Sequence, residues 1–90
     1  MPTVIVIASA TNDPSDQDVG VEGHYEIQLP DDIEEAHLAN AALDSFHSQV
    51  PVKNLDDFTF VVEDLEGNTL EPDDDVPEYH YAHVGEVDKV

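Results

Sequence analysis

The chain contains no arginine, no cysteine and no tryptophan, and its only lysines are Lys53 and Lys89. Without cysteine it can form neither disulfides nor thiolate metal sites, so folding must depend on packing. With two lysines and no arginine, it has too few cations to bind a phosphate backbone or to stabilise a phosphorylated or carboxylated substrate. Direct nucleic-acid binding is therefore excluded.

The usual motifs of enzymes are also missing. The chain has no glycine-rich phosphate loop and no nucleophile elbow. Its acidic residues fall in predicted turns and beside proline or glycine, where we expect them to stay solvated, whereas a catalytic carboxylate pair needs one desolvated member. We therefore expect a protein that is not an enzyme, with no catalytic residues and no cofactor.

Negative charge dominates the composition, because 22 Asp and Glu residues oppose two basic residues in a chain of 90, for a formal net charge of -20. The hydrophobic fraction is nevertheless 40%, and the apolar residues fall in periodic runs, which disordered polyanions lack. A chain of this length has room for one small core, with a radius of gyration of about 12 Å. We predict a single domain over 1–90, with a flexible acidic loop at 11–23 and a second acidic loop at 71–77.

The first part of the chain predicts two strands. TVIVIASA, residues 3–10, is apolar or β-branched at successive positions, which is typical of a central strand covered on both faces. HYEIQL alternates apolar and polar residues, with Tyr25 and Ile27 on one face and Glu26 on the other, which indicates a strand with one face in water.

A helix is predicted directly after Pro30. Asp31 as the N-cap and Glu34 at the third helical position form a capping signal, and the helix should run to about Ser48. Spacings of three and four give it one core-facing stripe, made of Ile33, Ala36, Ala39, Leu43 and Phe46. The positions predicted to face outward are Glu34, His37, Ala41, Asp44 and Ser48.

The second part of the chain predicts three further strands. DDFTFVVED alternates, and the following DLEGNTL places Gly67-Asn68 at a hairpin tip. EPDDDVP contains two prolines and must be a loop, whereas EYHYAHV alternates again and predicts the last strand. The expected fold is α+β, with a short antiparallel or mixed β-sheet of four to five strands and one α-helix packed on a face.

Histidine and aspartate clusters raise the question of a metal site. His80 and His83 form an H-x-x-H pair, but residues three apart on a strand point to opposite faces and cannot reach one ion. The aspartates at 13, 16 and 18 and at 73–75 do not match the calcium loop of an EF-hand. We expect no metal site.

Carboxylates are instead concentrated in loops and at the ends of elements. Those in the first turn of a helix would stabilise its dipole by about 0.3 to 1 kcal/mol each, which accounts for part of the cluster that begins at Asp31. We hypothesise that subsets of this charge bind a partner, with the triplet at 73–75 favoured because it has no capping role. The predicted partner-binding residues are Asp31, Asp32, Glu34, Glu35, Glu63, Asp64, Glu66, Glu71, Asp73, Asp74, Asp75 and Glu78.

The amount of charge is comparable with that of DNA. A domain of this size is about 30 Å across, and 30 Å of duplex carries roughly 18 phosphates at one charge per about 1.7 Å. Such a surface would be attracted to a groove built for nucleic acid. The sequence therefore favours a nucleic-acid mimic whose partner is a basic nucleic-acid-binding protein.

The chain also resembles a class of proteins with these properties. The order of HYEIQLPDDIEEAHLANAALDSFH and then DDFTFVVEDLEGNTL, together with small size and acidity, is similar to the small phage anti-CRISPR and anti-restriction proteins. The resemblance implies an inhibitor of a host defence complex, with a CRISPR surveillance complex blocked at its DNA groove. It transfers no functional residue, because the class has no invariant motif.

Salt adaptation is an alternative origin of the charge. Acidic surfaces keep proteins soluble near molar salt, and the excess of Asp over Glu fits such adaptation, although a complete absence of arginine fits it less well. An antitoxin-like module that binds a basic protein is a third possibility. Because MPTVIVIASATND lacks the features of a signal peptide or a membrane span, we expect a soluble protein in the cytoplasm of the host cell, with no membrane partner.

Overall fold

The computed structural model describes residues 2–13, 16 and 18–90. The helix and the strands are β1 Thr3–Ala10, β2 Gly23–Gln28, α1 Leu38–Gln49, β3 Phe58–Asp64, β4 Thr69–Leu70 and β5 Glu86–Lys89. The five strands form one antiparallel sheet in the order β4-β3-β1-β2-β5, and α1 packs on it. The predicted fold class is confirmed.

The core lies between one face of the sheet and the helix. Phe46 of α1 is fully buried, and its ring contacts Tyr25 on β2 edge to face at 4.8 Å between centroids and Phe60 on β3 at 5.3 Å. Aromatic pairs in this geometry add to the free energy gained from burial. The radius of gyration is 12.5 Å, in agreement with the value expected from chain length.

The central position of β1 is confirmed, but its predicted cover on both faces is wrong. Val4 and Val6 are buried against the helix layer, whereas Ile5 and Ile7 on the other face are only partly buried. Among the described residues, no helix or strand lies over that second face. The face of β1 that carries Ile5 and Ile7 is therefore apolar but is not covered by a second layer. We call it the open face of the sheet.

The helix begins later than predicted, and the capping signal is not used. A single turn of 3-10 helix covers Glu35–His37, Glu34 is extended, and α1 starts at Leu38 with no acidic residue in its first turn. The cause is packing before the helix, since Leu29 is completely buried and Ile33 packs against the core. These two anchors hold the intervening chain outside helical geometry.

The predicted outward face of the helix is wrong at Ala41, which is completely buried. Ala36, predicted in the core stripe, is exposed. The reason is that residues 73–85 cross the helix and cover a second side of it. Ser45, also buried, links the two elements, because its hydroxyl donates to the Tyr81 carbonyl at 3.3 Å and accepts from the Gly85 amide at 3.0 Å.

The last strand was predicted at EYHYAHV, residues 78–84, but it forms later, at Glu86–Lys89. Residues 78–84 form turns instead, and Tyr79 and His83 have positive φ angles of 60° and 63°. Hydrogen bonds from the helix explain the difference, because the Asp44 carboxylate accepts from the Tyr81 amide at 3.1 Å. The short alternating pattern is therefore overridden by contacts with α1.

The loop at 11–23 contains residues that lie outside the described part, at 14, 15 and 17, and its flexibility stays a prediction. Its described residues include two anchors. Asp18 is 1% exposed, and its carboxylate accepts from the Lys53 amide at 2.8 Å and from the Asn54 amide at 3.0 Å. Val21 is in the core and its carbonyl accepts from the Tyr25 hydroxyl.

Candidate protein-binding surfaces

The β3–β4 hairpin carries three of the predicted partner-binding residues, and one of them has a structural role. The Asp64 carboxylate accepts from the backbone amides of Glu66 and Asn68, both at 2.9 Å, and from the Asn68 side chain at 3.1 Å. The backbone hydrogen bond from Asn68 is the main cause that lowers the pKa of Asp64. Asp64 therefore closes the turn at 65–68. Its tip is at Leu65-Glu66 and not at Gly67-Asn68 as predicted, because the Gly67 amide donates to the Asp64 carbonyl at 3.1 Å. Glu66 is exposed at this tip.

Two separate acidic segments meet beside His37. Its Nδ1 lies 3.5 Å from a Glu34 carboxylate oxygen, and its Nε2 lies 3.7 Å from an Asp73 oxygen. Nδ1 also makes a 2.8 Å hydrogen bond with the Tyr81 hydroxyl. The structure thus brings the 31–35 and 73–75 clusters together at one end of the helix, although they are about forty residues apart along the chain.

The triplet Asp73–Asp75 is attached to the helix through its first member. The Asp73 amide donates to Asn40 Oδ1 at 2.7 Å, and Asn40 Nδ2 donates to the Asp73 carbonyl at 3.0 Å. One Asp73 carboxylate oxygen accepts from the Asp75 amide at 2.9 Å. Asp73 therefore has a structural role that the sequence did not indicate, whereas Asp74 and Asp75 are exposed.

A groove of about 450 Å³ runs between α1 and residues 72–79. Its apolar lining includes Leu43 from the helix, Leu55 from the 3-10 turn before β3, and Val76 and Tyr79 from the acidic segment. Leu55 and Tyr79 are 47% and 54% exposed, which is high for such large apolar side chains. The groove therefore leaves apolar surface open to solvent.

Carboxylates and a histidine also line this groove. The carboxylates come from the helix at Asp44 and from the facing segment at Asp73, Asp74 and Glu78. Burial lowers the pKa of His47, while the charge of Asp44 acts in the opposite direction. Sequence reasoning missed Asp44 and His47, because it identified charge clusters along the chain, and these two residues join the cluster only through folding.

The open face of the sheet is a second candidate surface. Its centre is apolar, with Ile5 and Ile7 on β1 beside Val61 on β3, where Ile7 and Val61 are directly paired. Glu63 lies opposite Ile5 on one side and Glu26 lies opposite Ile5 on the other. Carboxylates therefore flank a partly buried apolar strip.

Two like charges are also directly opposed on that face. Glu26 on β2 pairs with Asp88 on β5. Directly paired residues of an antiparallel sheet have Cβ atoms about 4.5–5.5 Å apart, and like charges there are destabilising. The pair Glu26–Asp88 is therefore expected to lower the stability of the sheet at low salt.

The lysines do not neutralise the acidic surface. Between described residues, the basic group within ion-pair distance of carboxylates is His37, and neither lysine has such a contact. The Lys89 ammonium donates to the Gly20 carbonyl and lies 5.7 Å from the centre of the Tyr25 ring. Both candidate surfaces therefore keep their negative charge.

The remaining predicted partner-binding residues stay at the surface without joining one continuous site. Asp32, Glu35, Glu66 and Glu71 are exposed, and Glu63 is partly buried on the open sheet face. Asp31 is exposed and interacts with another group. The structure thus brings Glu34 close to Asp73, and Asp74 close to Glu78. The acids of the β3–β4 hairpin, Glu63 and Asp64 on β3 and Glu66 in the turn, form a separate group.

Among residues 2–13, 16 and 18–90, no group of three or more His, Asp or Glu side chains is arranged to hold a metal ion. Within the same residues, no helix combines the length and the apolar content needed to cross a bilayer. No protein-family model matches the chain, and neither curated proteins nor solved structures give a significant match.

Proposed function

We propose that the protein is an acidic inhibitor that occupies the DNA-binding groove of a basic host defence complex, with a CRISPR surveillance complex as the expected target. Its carboxylates would replace DNA phosphates in contacts with lysine and arginine residues of the partner. Its longest dimension of 38 Å corresponds to about 11 base pairs at about 3.4 Å each. The protein would act by excluding DNA and not by catalysis.

The observation that carries this proposal is the exposure of carboxylates such as Asp32, Asp74 and Glu78 in a chain whose formal net charge is -20. Within the described residues, neither lysine lies within ion-pair distance of a carboxylate, so these exposed groups are available to a partner. The late start of the helix supports the same conclusion for Asp32. The helical residues begin with the 3-10 turn at Glu35–His37, which runs directly into α1, so Asp32 lies outside the helix.

Salt adaptation is the second candidate, and the pair Glu26–Asp88 favours it. Repulsion between these carboxylates, of which Glu26 is partly buried and Asp88 is exposed, falls as salt rises, since the Debye length shrinks from about 10 Å at 0.1 M to about 3 Å at 1 M. A protein that functions near molar salt would tolerate this pair at little cost. The two candidates therefore differ in the salt that the fold requires.

Capture followed by displacement tests the proposed function. The protein is immobilised and exposed to a nuclease-treated lysate of a host that carries a CRISPR or restriction system. Bound proteins are then eluted with duplex DNA at constant ionic strength. We expect release of basic nucleic-acid-binding proteins by the duplex, and weaker capture as salt rises. Retention of only acidic or neutral proteins, or no release by DNA, would contradict the proposal.

The matched control for that capture is a variant of the same fold with less charge. Asp32→Asn, Glu35→Gln, Asp74→Asn and Glu78→Gln remove four negative charges from exposed positions. We expect this variant to fold and to capture less of the DNA-releasable protein. Equal capture by the two proteins would show that these carboxylates do not form the binding surface.

A further inference from the structure

We propose that the groove between α1 and residues 72–79 binds an arginine side chain of the protein partner. The inference rests on the proposed function in one respect, namely that the partner is basic. It adds the place on this chain where one cationic side chain is held and the chemical reason for choosing arginine.

The lining of the groove matches the aliphatic part of such a side chain. Leu43, Leu55 and Val76 supply apolar walls around about 450 Å³, within the range of about 300–1,000 Å³ typical of small-molecule sites. Leu55 is 47% exposed, so a side chain in the groove would remove apolar surface from water. The methylene groups of arginine pack against apolar surface in this way.

The carboxylates of the groove match the cationic end. Asp74 and Glu78 are exposed on one wall, and Asp44 and Asp73 lie beside them. Asp44 uses Oδ2 to accept from the Tyr81 amide, and an ionised carboxylate has about four acceptor positions in total. Acceptor capacity therefore remains for a guanidinium group.

Two features favour arginine over lysine. Carboxylates from both walls can accept from the planar guanidinium fork, which binds carboxylates in a bidentate manner. The Tyr79 ring also lines the groove, and guanidinium groups stack on aromatic rings. An ammonium group would gain charge attraction from the same residues, but not the bidentate geometry.

The wall that carries Asp74 and Glu78 is fixed in position. The paired hydrogen bonds between Asn40 and Asp73 attach its start to the helix. Tyr79 has a φ of 60°, a region in which non-glycine residues are uncommon and which is held only by surrounding structure. The groove is therefore formed before a partner arrives, which reduces the entropy lost on binding.

A titration with a small probe tests this site in the full chain. The ¹⁵N-labelled protein is titrated with N-acetyl-arginine methylamide, and with N-acetyl-citrulline methylamide as the uncharged analogue of nearly the same shape. We expect saturable shifts of the Leu43, Leu55, Val76 and Tyr79 amides, with a Kd of about 1 mM. Citrulline should bind at least about tenfold more weakly, because it lacks charge-assisted hydrogen bonds. The lysine analogue should fall between the two.

Matched variants locate the charge that matters. Asp74→Asn with Glu78→Gln removes two charges from the groove, and Asp32→Asn with Glu66→Gln removes two from exposed positions elsewhere. We expect the first variant to weaken arginine binding about fivefold or more, and the second to change it by less than about twofold. The spectra of the free variants show directly whether each is folded.

Three results would overturn the inference: equal binding of arginine and citrulline, shifts spread over all acidic segments, or equal losses in the two variants. The outcome is separable from that of the proposed function. If DNA still releases captured proteins but arginine does not bind in the groove, the arginine site is wrong and the proposed function stands. If arginine binds in the groove but DNA releases no captured protein, the arginine site stands and the proposed function is wrong.

Discussion

Asn40 and Asp73 are joined by two reciprocal hydrogen bonds, in which the Asn40 side chain accepts from the Asp73 amide at 2.7 Å and donates to the Asp73 carbonyl at 3.0 Å. The amide side chain thus pairs with the backbone as a neighbouring strand would. This contact connects α1 to the segment that forms one wall of the groove.

Removal of this contact should loosen the segment without unfolding the core. We expect Asn40→Ala to lower the free energy of unfolding by about 1–2 kcal/mol, because two partly buried hydrogen bonds are lost. Thermal melts measure this loss, and hydrogen exchange should show faster exchange across residues 72–79. Asn12→Ala is the control at an exposed position, with an expected change within about 0.5 kcal/mol. Equal melting and exchange of the two variants would contradict this role of Asn40.

Gly85 should tolerate no larger residue. A Cβ at this position would lie 2.8 Å from Leu29 Cδ2, 3.0 Å from Ile27 Cγ2 and 3.2 Å from the Gln28 carbonyl oxygen. We expect Gly85→Ala to cost about 1–3 kcal/mol of stability through overpacking, measured by urea denaturation. Gly20→Ala is the matched control, because a Cβ there meets no atom within 4 Å. A Gly85→Ala protein as stable as the Gly20→Ala protein would show that the last strand approaches β2 less closely than described.

The hairpin acid Asp64 should make stability depend on pH in acid. Its pKa is lowered in the folded protein, chiefly by the backbone hydrogen bond from Asn68. The folded state therefore binds fewer protons than the unfolded state, and the stabilisation is complete above the unfolded pKa of about 3.9 and is lost as pH falls through the folded pKa. We expect Asp64→Ala to be less stable than the parent at pH 6 and equally stable near pH 2. An NMR titration giving Asp64 an ordinary pKa would contradict this.

Asp32 should be dispensable for folding. It precedes the 3-10 turn Glu35–His37 that leads into α1, and its side chain is exposed. We therefore expect Asp32→Asn to change the free energy of unfolding by less than about 0.5 kcal/mol, measured by thermal melts at low salt. The alternative, a helix that starts at Asp31, predicts a clear loss of stability, because first-turn carboxylates would then interact with the helix dipole.

Local patterns in the sequence predicted the elements that have simple periodicity. β1 has the predicted bounds of Thr3–Ala10, and the predicted hairpin between β3 and β4 forms, although its turn is centred on Leu65-Glu66 and not on Gly67-Asn68. These predictions are correct because alternation and turn chemistry are properties of residues adjacent in the sequence.

The wrong predictions concern segments whose structure depends on contacts with residues distant in the sequence. The start of α1 depends on the anchors Leu29 and Ile33, and the turns at 78–84 depend on hydrogen bonds from Asp44 and Ser45. The same applies to the candidate site. Exposed acids such as Asp74 and Glu78 could be named from charge alone, whereas Asp44 joins them only after the chain folds over the helix.

The central claim is that the negative charge serves to bind a partner and is not an adaptation to concentrated salt. Circular dichroism melts of the purified protein across a series from about 0.1 M to 3 M salt test it most directly, because a Debye length near 10 Å leaves the repulsion between neighbouring carboxylates only partly screened at the lowest concentration. We predict a cooperative transition and full secondary structure at about 0.1 M, with the core outweighing repulsion. Loss of structure below about 1 M salt would contradict the account and identify a salt-adapted protein.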